Sequence, residues 1–157
     1  MRVRRQRGTY LTEFAIVASV VFTAIFAVLE VARLMYTYNV LTEASRRSAR
    51  LAAVCAPNNP AGVPSVYEDL KSLALFDGTT LVKNLTNDNL TIDYLDKDGA
   101  SALTYSAISL VRASISDYQH QLLIPGFFIT LNAPTFVTIL PRESLGATRF
   151  GITTICS

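Results

Sequence analysis

The chain contains no tryptophan, one histidine, two cysteines and few charged residues, and these shortages exclude several classes of protein. Only 17% of its 157 residues are charged whereas 50% are hydrophobic, which excludes an intrinsically disordered chain. The six prolines and seven glycines do not cluster, which excludes collagen-like repeats and low-complexity linkers. Because this composition is too apolar for an ordinary water-soluble domain, we expect part of the chain to lie in a membrane or in an assembly.

Groups that could carry out catalysis are equally scarce. His120 is the only histidine, neither a G-x-S-x-G sequence nor a phosphate-binding loop occurs, and neither cysteine has a neighbouring base. Three aspartates lie close together in the sequence: Asp93, Asp96 and Asp98. They do not have the EF-hand spacing, because Tyr94 would occupy the first ligand position, so we interpret them as a solvated acidic turn. The sequence therefore predicts no enzyme, no cofactor and no metal site; a tethered periplasmic hydrolase would depend on His120.

Charge is distributed unevenly along the chain. Four arginines within residues 1–8 make this end strongly basic: Arg2, Arg4, Arg5 and Arg7. The part from Cys55 onwards has more acidic than basic residues, although the whole chain has a net charge of +2. A nucleic-acid-binding protein needs basic residues on its folded surface as well, so we expect no nucleic-acid partner.

One long apolar segment follows the basic end. Sixteen uncharged residues separate Glu13 from Glu30, and as a helix they span about 24 Å of a ~30 Å hydrocarbon core. Extension back to Tyr10 and forward through Met35 supplies the missing turns. We predict one transmembrane helix, in which Glu30 and Arg33, three residues apart, pair or lie near an interface. The alternative is a buried core helix of a soluble protein.

The arginines also predict the orientation. Basic residues before the helix favour a cytoplasmic N-terminus, with the C-terminal part on the other side, which is the periplasm in a bacterium. A cleaved secretory signal is the competing interpretation, but no A-x-A cleavage site follows the apolar segment.

The junction between the basic end and the apolar segment reads Arg7-Gly8-Thr9-Tyr10-Leu11-Thr12-Glu13-Phe14. A glycine after a basic leader, with a glutamate five residues later at the edge of an apolar helix, resembles the processing site of a type IV prepilin. In that family a membrane aspartyl peptidase cuts after the glycine on the cytoplasmic face. The resemblance implies cleavage between Gly8 and Thr9, and loss of the leader would change the net charge from +2 to −2.

Further stretches narrow the resemblance: Thr12-Glu13-Phe14-Ala15, Leu29-Glu30-Val31-Ala32-Arg33-Leu34-Met35-Tyr36, and the segment from Leu41 to Val54. Together they resemble the TadE-like family of minor pilins, or pseudopilins, of tight-adherence (Tad, or Flp) pili. The resemblance implies a leader over residues 1–8, a transmembrane and stem helix over 9–54 and a head over 55–157. It also implies four partners: a prepilin peptidase, the major pilin with other minor pilins, the inner-membrane assembly platform, and membrane lipid. The protein would begin in the inner membrane and then reach the pilus or cell surface.

Within this resemblance, Glu13 and Phe14 are the residues that set assembly and register. An ionised carboxylate in the middle of a bilayer costs on the order of 3 kcal/mol, so Glu13 needs a partner or an interface. The resemblance supplies the N-terminal ammonium of a neighbouring subunit. The alternative is that Glu13 lies in the first helical turn, where the helix dipole favours it.

Beyond the apolar segment we expect the helix to continue to about Val54. One helical face is predicted to pack, through Leu41, Ala44, Ser48, Leu51 and Cys55. Arg46, Arg47 and Arg50 form a basic ridge, which is either a solvated face or a docking surface.

The remainder predicts an α+β head of type IV pilin-like plan, with one short helix and an antiparallel sheet. Ser65-Val66-Tyr67-Glu68 has the form of a capping box and predicts a helix that ends near Asp77-Gly78. Alternation predicts strands at 90–94, 102–106, 109–117, 127–131, 134–140 and 148–155, with a hairpin turn at 96–99.

Two cysteines at opposite ends of the head, Cys55 and Cys156, predict a disulfide in an oxidising periplasm, although two unlinked buried thiols would also fit. A rival function keeps the membrane anchor permanently and uses the head as a periplasmic binding domain. Its candidate exposed residues are Phe127 and Phe128, which would otherwise belong to the core.

Overall fold

A computed structural model describes residues 7–58, 62–76, 81–123, 129–151 and 153–156. Its elements follow in chain order: α1 (Arg7–Val54), α2 (Glu68–Ala74), β1 (Leu90–Leu95), β2 (Leu110–Ile115), β3 (Gln119–Gln121), β4 (Thr130–Asn132) and β5 (Phe136–Pro141). One long helix is thus followed by a small head with antiparallel sheets, which confirms the predicted α+β class. Most of the leader lies outside the described residues.

The long helix α1 contains 48 residues and ends at Val54, where the stem was predicted to end. The carbonyls of its last turn are satisfied by the head, since Leu145 N–H donates to Ala53 O and Gly146 N–H donates to Val54 O. Gly146 has a φ of +80°, and a Cβ there would lie 2.5 Å from the Cβ of Ala56. Only glycine allows this close approach of the returning chain to the end of the helix.

The head contains a three-stranded antiparallel sheet in the order β1-β2-β5 and a separate two-stranded ribbon of β3 and β4. In the central strand β2, Val111, Ala113 and Ile115 are buried and alternate with half-buried residues. Leu140 and Phe136 lie opposite Val111 and Ile115 on β5. The buried face of the sheet therefore covers α1, and the core lies between them.

Two buried clusters fill that space. One joins the middle of the stem to α2 and the ends of β1 and β2, and contains Val40, Leu41, Ala44, Ala74, Leu75, Val82, Leu90, Ile115 and Tyr118. The other, nearer the end of α1, contains Ala52, Ala53, Tyr94, Ala102, Ile108, Val111 and Leu145. The predicted packing face of the stem is confirmed, because Leu41, Ala44, Ser48 and Cys55 are buried and Leu51 is half-buried.

The predicted capping box at Ser65 was wrong. The helix α2 begins at Glu68 after Tyr67, and no side chain caps it. Ser65 instead forms an isolated antiparallel bridge, in which its backbone exchanges two hydrogen bonds with that of Asn58. The backbone pairing holds Ser65 in an extended segment that precedes the helix, so its hydroxyl does not reach the first turn. The predicted end of this helix near Asp77-Gly78 lies outside the described residues.

Strand predictions succeeded where alternation was long. The strands β1, β2 and β5 match the predictions at 90–94, 109–117 and 134–140, but 102–106 is not a strand and contains the start of a 3-10 turn, Tyr105–Ala107. Among its described residues, the stretch 148–155 forms one bridge, between Ala147 and Thr153. Of 127–131, residues 127 and 128 lie outside the described residues and β4 begins at Thr130.

The turn predicted at 96–99 is confirmed. Asp96 Oδ1 accepts hydrogen bonds from the N–H groups of Asp98 and Ala100, and Gly99 has a φ of +84°. The chain then pairs for only one residue, Leu95 with Ser101, before it leaves β1. The strand predicted at 102–106 does not form for this reason. The last hydrogen bond to β1 runs from Ala102 N–H to Tyr94 O, and the 3-10 turn then carries the chain across to β2.

Candidate functional site in the long helix

The first half of α1 is an exposed apolar surface. An 18-residue window of this helix is apolar enough to cross a membrane and has none of its residues buried. Large side chains are exposed along its whole length, among them Leu11, Phe14, Ile16, Val20, Phe22, Ile25, Phe26 and Leu29. A helix that is apolar on every side and is buried by none of the described residues of its own chain suits lipid or the core of an assembly. Its length and composition indicate a membrane anchor.

The predicted processing and register residues all lie on this exposed half. Gly8 and Thr9 belong to α1, and the hydroxyl of Thr12 donates to Thr9 O at 2.8 Å. Glu13 is exposed, and within the described part of the chain no basic group lies within 4.0 Å of its carboxylate. A partner for this carboxylate would have to come from outside the described part of the chain.

Glu30 stands at the other end of the apolar segment and has several partners. Arg33 Nη1 donates to both of its carboxylate oxygens, at 2.7 and 2.8 Å. The side chain of Glu30 is only 13% exposed, whereas that of Arg33 is 44% exposed. Neighbouring turns of one helix thus place a carboxylate and a guanidinium together, with the acidic member the better shielded.

The head supplies the remaining partners of Glu30, and sequence reasoning did not predict them. Leu123 N–H donates to Glu30 Oε1 at 3.2 Å, and His120 Nε2 lies 3.6 Å from the same oxygen. The other ring nitrogen of His120 lies 3.4 Å from the hydroxyl of Thr37, and both side chains are buried. No local pattern signals contacts across more than 80 residues, although a lone histidine in an uncharged segment was a weak hint. We call Glu30, Arg33, Thr37, His120 and the Leu123 N–H the polar boundary cluster.

The predicted basic ridge consists of two exposed arginines and one that is packed. Arg46 and Arg50 are exposed, while the guanidinium of Arg47 lies 5.1 Å from the ring centre of Phe76. The three border an open cavity of about 370 Å³ together with Glu43, Thr138 and Leu140. The structure therefore uses Arg47 for packing and leaves the other two side chains at the surface.

The acidic turn uses its carboxylates within the fold. Asp96 caps its own turn, as described above, and Asp93 Oδ2 accepts two hydrogen bonds from Arg112 on the adjacent strand. Among the described residues, no three His, Cys, Asp or Glu side chains are grouped closely enough to hold a metal ion. Of the three aspartates predicted to form a solvated acidic turn, Asp98 is exposed, whereas Asp93 and Asp96 are half-buried and bonded within the fold.

The two cysteines lie at the end of the head that is remote from the apolar segment. Cys55 directly follows α1 and forms a disulfide with Cys156, with Cα atoms 5.7 Å apart. The bond ties the C-terminal residues to the end of the stem. Ala56 N–H, which donates to Thr154 O at 3.0 Å, reinforces the same junction.

Fold and site together define a class: a single apolar helix with one polar boundary, carrying a small disulfide-linked α+β head. Residues 8–50 match the model of a family described as TadE-like protein. The resemblance inferred from the sequence is thereby confirmed for this segment, which includes Gly8, Glu13, Glu30 and all three arginines of the basic ridge. The match indicates a protein associated with the Tad pilus, and that family is not one of enzymes. No curated protein and no solved structure matches the chain.

Proposed function

We propose that this chain is a minor pilin, or pseudopilin, that inserts in the inner membrane, is cleaved after Gly8, and takes part in initiating or forming the tip of a Tad pilus. The observation that carries the proposal is the TadE-like match, which begins at Gly8 and covers an exposed apolar helix with Glu13 near its start. In this proposal the N-terminus is cytoplasmic and the head is periplasmic, and the protein later reaches the pilus.

The exposed half of α1 serves both locations. In the bilayer its apolar side chains face lipid, and in a pilus the same side chains pack against neighbouring helices. In this proposal the exposed helix contacts lipid, the major pilin and other minor pilins. The prepilin peptidase and the assembly platform are the two further partners.

Cleavage after Gly8 is chemically reasonable at this position. The peptide bond between Gly8 and Thr9 lies in the first described turn of α1, and glycine weakens helical backbone by roughly 1 kcal/mol relative to alanine. Local unwinding there would present an extended bond to a protease. The new ammonium on Thr9 would then stand four residues before Glu13, which has no partner among the described residues of its own chain.

The proposal is tested by co-expressing the full chain with its cognate prepilin peptidase and measuring the N-terminus by mass spectrometry. We expect the protein to lose eight residues and to begin at Thr9. Gly8→Leu, whose side chain would obstruct the cleavage site, should stay intact, whereas Ala18→Leu, further along the same helix, should be cleaved like the wild type. If the wild-type N-terminus stays intact and the protein is never found in sheared pilus fractions, the result would favour a permanently anchored periplasmic binding protein.

A further inference from the structure

The ribbon of β3 and β4 contains no Asp, Glu, Lys or Arg and runs alongside α1. His120 of β3 pairs with Leu131 of β4, and Leu122 N–H donates to Ile129 O at 2.9 Å, which extends the pairing by one residue. Between Asp117 and Arg142 the sequence contains no Asp, Glu, Lys or Arg. Three large apolar side chains of the ribbon are exposed: Leu123 is 63% and Ile129 43% exposed at its described end, and Leu131 within β4 is 36% exposed.

This ribbon points toward the apolar half of α1. Tyr118, just before β3, belongs to the same buried cluster as Leu41, whereas Leu123 is hydrogen-bonded to Glu30. The eleven steps along the helix from Leu41 back to Glu30 span about 16 Å. The five steps along the strand from Tyr118 to Leu123 span about 17 Å, so the two elements run antiparallel. The strand thus descends along the helix to the level at which the apolar segment begins.

Glu30 marks the hydrocarbon boundary on the head side. A ~30 Å core needs about 20 helical residues, and counting that number back from Leu29 reaches Tyr10. A core of the same thickness that began at Phe14, just after Glu13, would extend to Arg33 and place Glu30 inside it. A carboxylate at this depth persists only with partners, and the polar boundary cluster supplies them. The cluster therefore shields the one acidic side chain that the boundary reaches.

We propose that the ribbon of β3 and β4 is a second membrane contact, in which Leu123 and Ile129 enter the acyl-chain region of the leaflet on the head side. The partner is the lipid bilayer, because the exposed side chains of the ribbon continue the lipid-facing surface of α1 at the level of Glu30. This inference rests on the membrane anchoring in the proposed function, but not on cleavage or pilus assembly. The contact holds the head at a fixed orientation on the membrane.

The absence of tryptophan allows a direct test, since each introduced tryptophan is the only one in the chain. Leu123→Trp reports on the ribbon and Phe22→Trp on the middle of the anchor. Phe150→Trp is the matched control in the head, because Phe150 is 85% exposed. It lies four residues after Gly146, whose N–H is hydrogen-bonded to Val54 O at the end of α1, about 36 Å beyond Glu30. The full chain, reconstituted in phosphatidylcholine vesicles, is compared with and without lipids brominated on their acyl chains.

We expect brominated lipid to quench Phe22→Trp strongly and Leu123→Trp to at least half that extent, and to leave Phe150→Trp unquenched. Ile129→Trp, also at the end of the ribbon, should behave like Leu123→Trp, so misfolding of one variant does not remove the test. An intact disulfide in each variant, measured by thiol labelling, confirms that the head is folded.

Two results would overturn the proposal, and they differ in what they say about the anchor. Quenching of Phe22→Trp with no quenching at residues 123 and 129 would leave the anchor intact and remove the ribbon from the membrane. If the ribbon tryptophans then had blue-shifted emission, their partner would be protein, for example a second copy of the chain. Absence of quenching in Phe22→Trp as well would remove the membrane anchor and the proposed function with it.

Discussion

Glu13 and Glu30 of α1 differ in whether the head provides polar partners for their carboxylates. Glu30 is surrounded by Arg33, His120 and a backbone N–H, whereas Glu13 is exposed with no described partner. A carboxylate in lipid costs on the order of 3 kcal/mol, so the unpartnered one has more to gain from an external cation. Under the proposed function that cation is the ammonium of a neighbouring subunit.

This difference predicts that Glu13→Gln is cleaved like the wild type but is lost from pili. The amide keeps the shape of the side chain and removes the charge that would pair with an ammonium. We expect its amount in sheared pilus fractions, measured by immunoblotting, to fall at least about tenfold, which corresponds to the loss of roughly 1.4 kcal/mol. The matched variant is Glu43→Gln, another exposed glutamate on the same helix, which should be incorporated normally. Equal incorporation of both variants would contradict a register role for Glu13.

Individual residues were predicted well where the signal was local. Glu30 and Arg33 are three residues apart, and the structure places their charged groups in contact. His120 and Leu123 could not be assigned to Glu30 from the sequence, because nothing local specifies which strand lies beside which turn of the stem. Ser65 was misassigned for the same reason, since its bridge to Asn58 outcompetes a plausible local cap.

At the scale of elements, the stem is adapted to close packing by small side chains. Ala44, Ala49, Ala52, Ala53 and Ser48 are completely buried where α1 meets the head. Interiors are close-packed, so residues without bulk let the sheet approach the helix backbone. The exposed half of the same helix carries large aliphatic and aromatic residues instead.

The close packing predicts that Ala52→Leu destabilises the head. Extra methylenes in a filled core cost typically about 1–3 kcal/mol, because neighbours must shift. Ala32→Leu is the matched control, since Ala32 lies on the same helix but is exposed. The full chain is denatured chemically in detergent micelles, and unfolding of the head is monitored by the near-UV circular dichroism of its tyrosines. Only Ala52→Leu should show a lower midpoint than the wild type. Equal midpoints would mean that the interface has room that the structure does not show.

Strands were predictable in proportion to their alternation. The strands β1, β2 and β5 have six residues each, with one face better shielded than the other, and the sequence pattern located all three. The sequence Gln119–Gln121 has no such pattern, so β3 was missed; it exists because β4 lies beside it. The predicted strand at 102–106 alternates in sequence, but the chain there must cross from β1 to β2.

At the scale of the whole molecule, one covalent bond joins the two ends of the head. Cys55 and Cys156 are 101 positions apart in the sequence. Within the described residues, the other contacts that tie the C-terminal segment to the end of the stem are hydrogen bonds, such as that from Ala56 N–H to Thr154 O. A loop of this length contributes about 4.7 kcal/mol in the chain-entropy model. The bond suits a head that folds in an oxidising compartment.

We therefore expect the double variant Cys55→Ser/Cys156→Ser to lower the free energy of unfolding of the head by about 2–5 kcal/mol. Denaturant titration of the full chain in detergent micelles measures the change, and reductant should shift the wild-type midpoint in the same direction. The helical signal of the apolar segment is the internal control, because it contains neither cysteine. A wild-type midpoint that ignores reductant, or free thiols in the oxidised protein, would contradict the prediction.

The sequence alone determined the class of the molecule. A long apolar run, a basic end before it, and alternating segments after Leu90 specify an exposed helix and an α+β head, because hydrophobicity and its period are local properties. Only the tertiary structure decided where the head meets the helix. The strand order β1-β2-β5 depends on contacts across 15 to 31 residues. The ribbon beside Glu30 and the junction at Cys55 depend on contacts across 93 and 101 residues. Such contacts are chosen by mutual fit and burial, which no single stretch of chain contains.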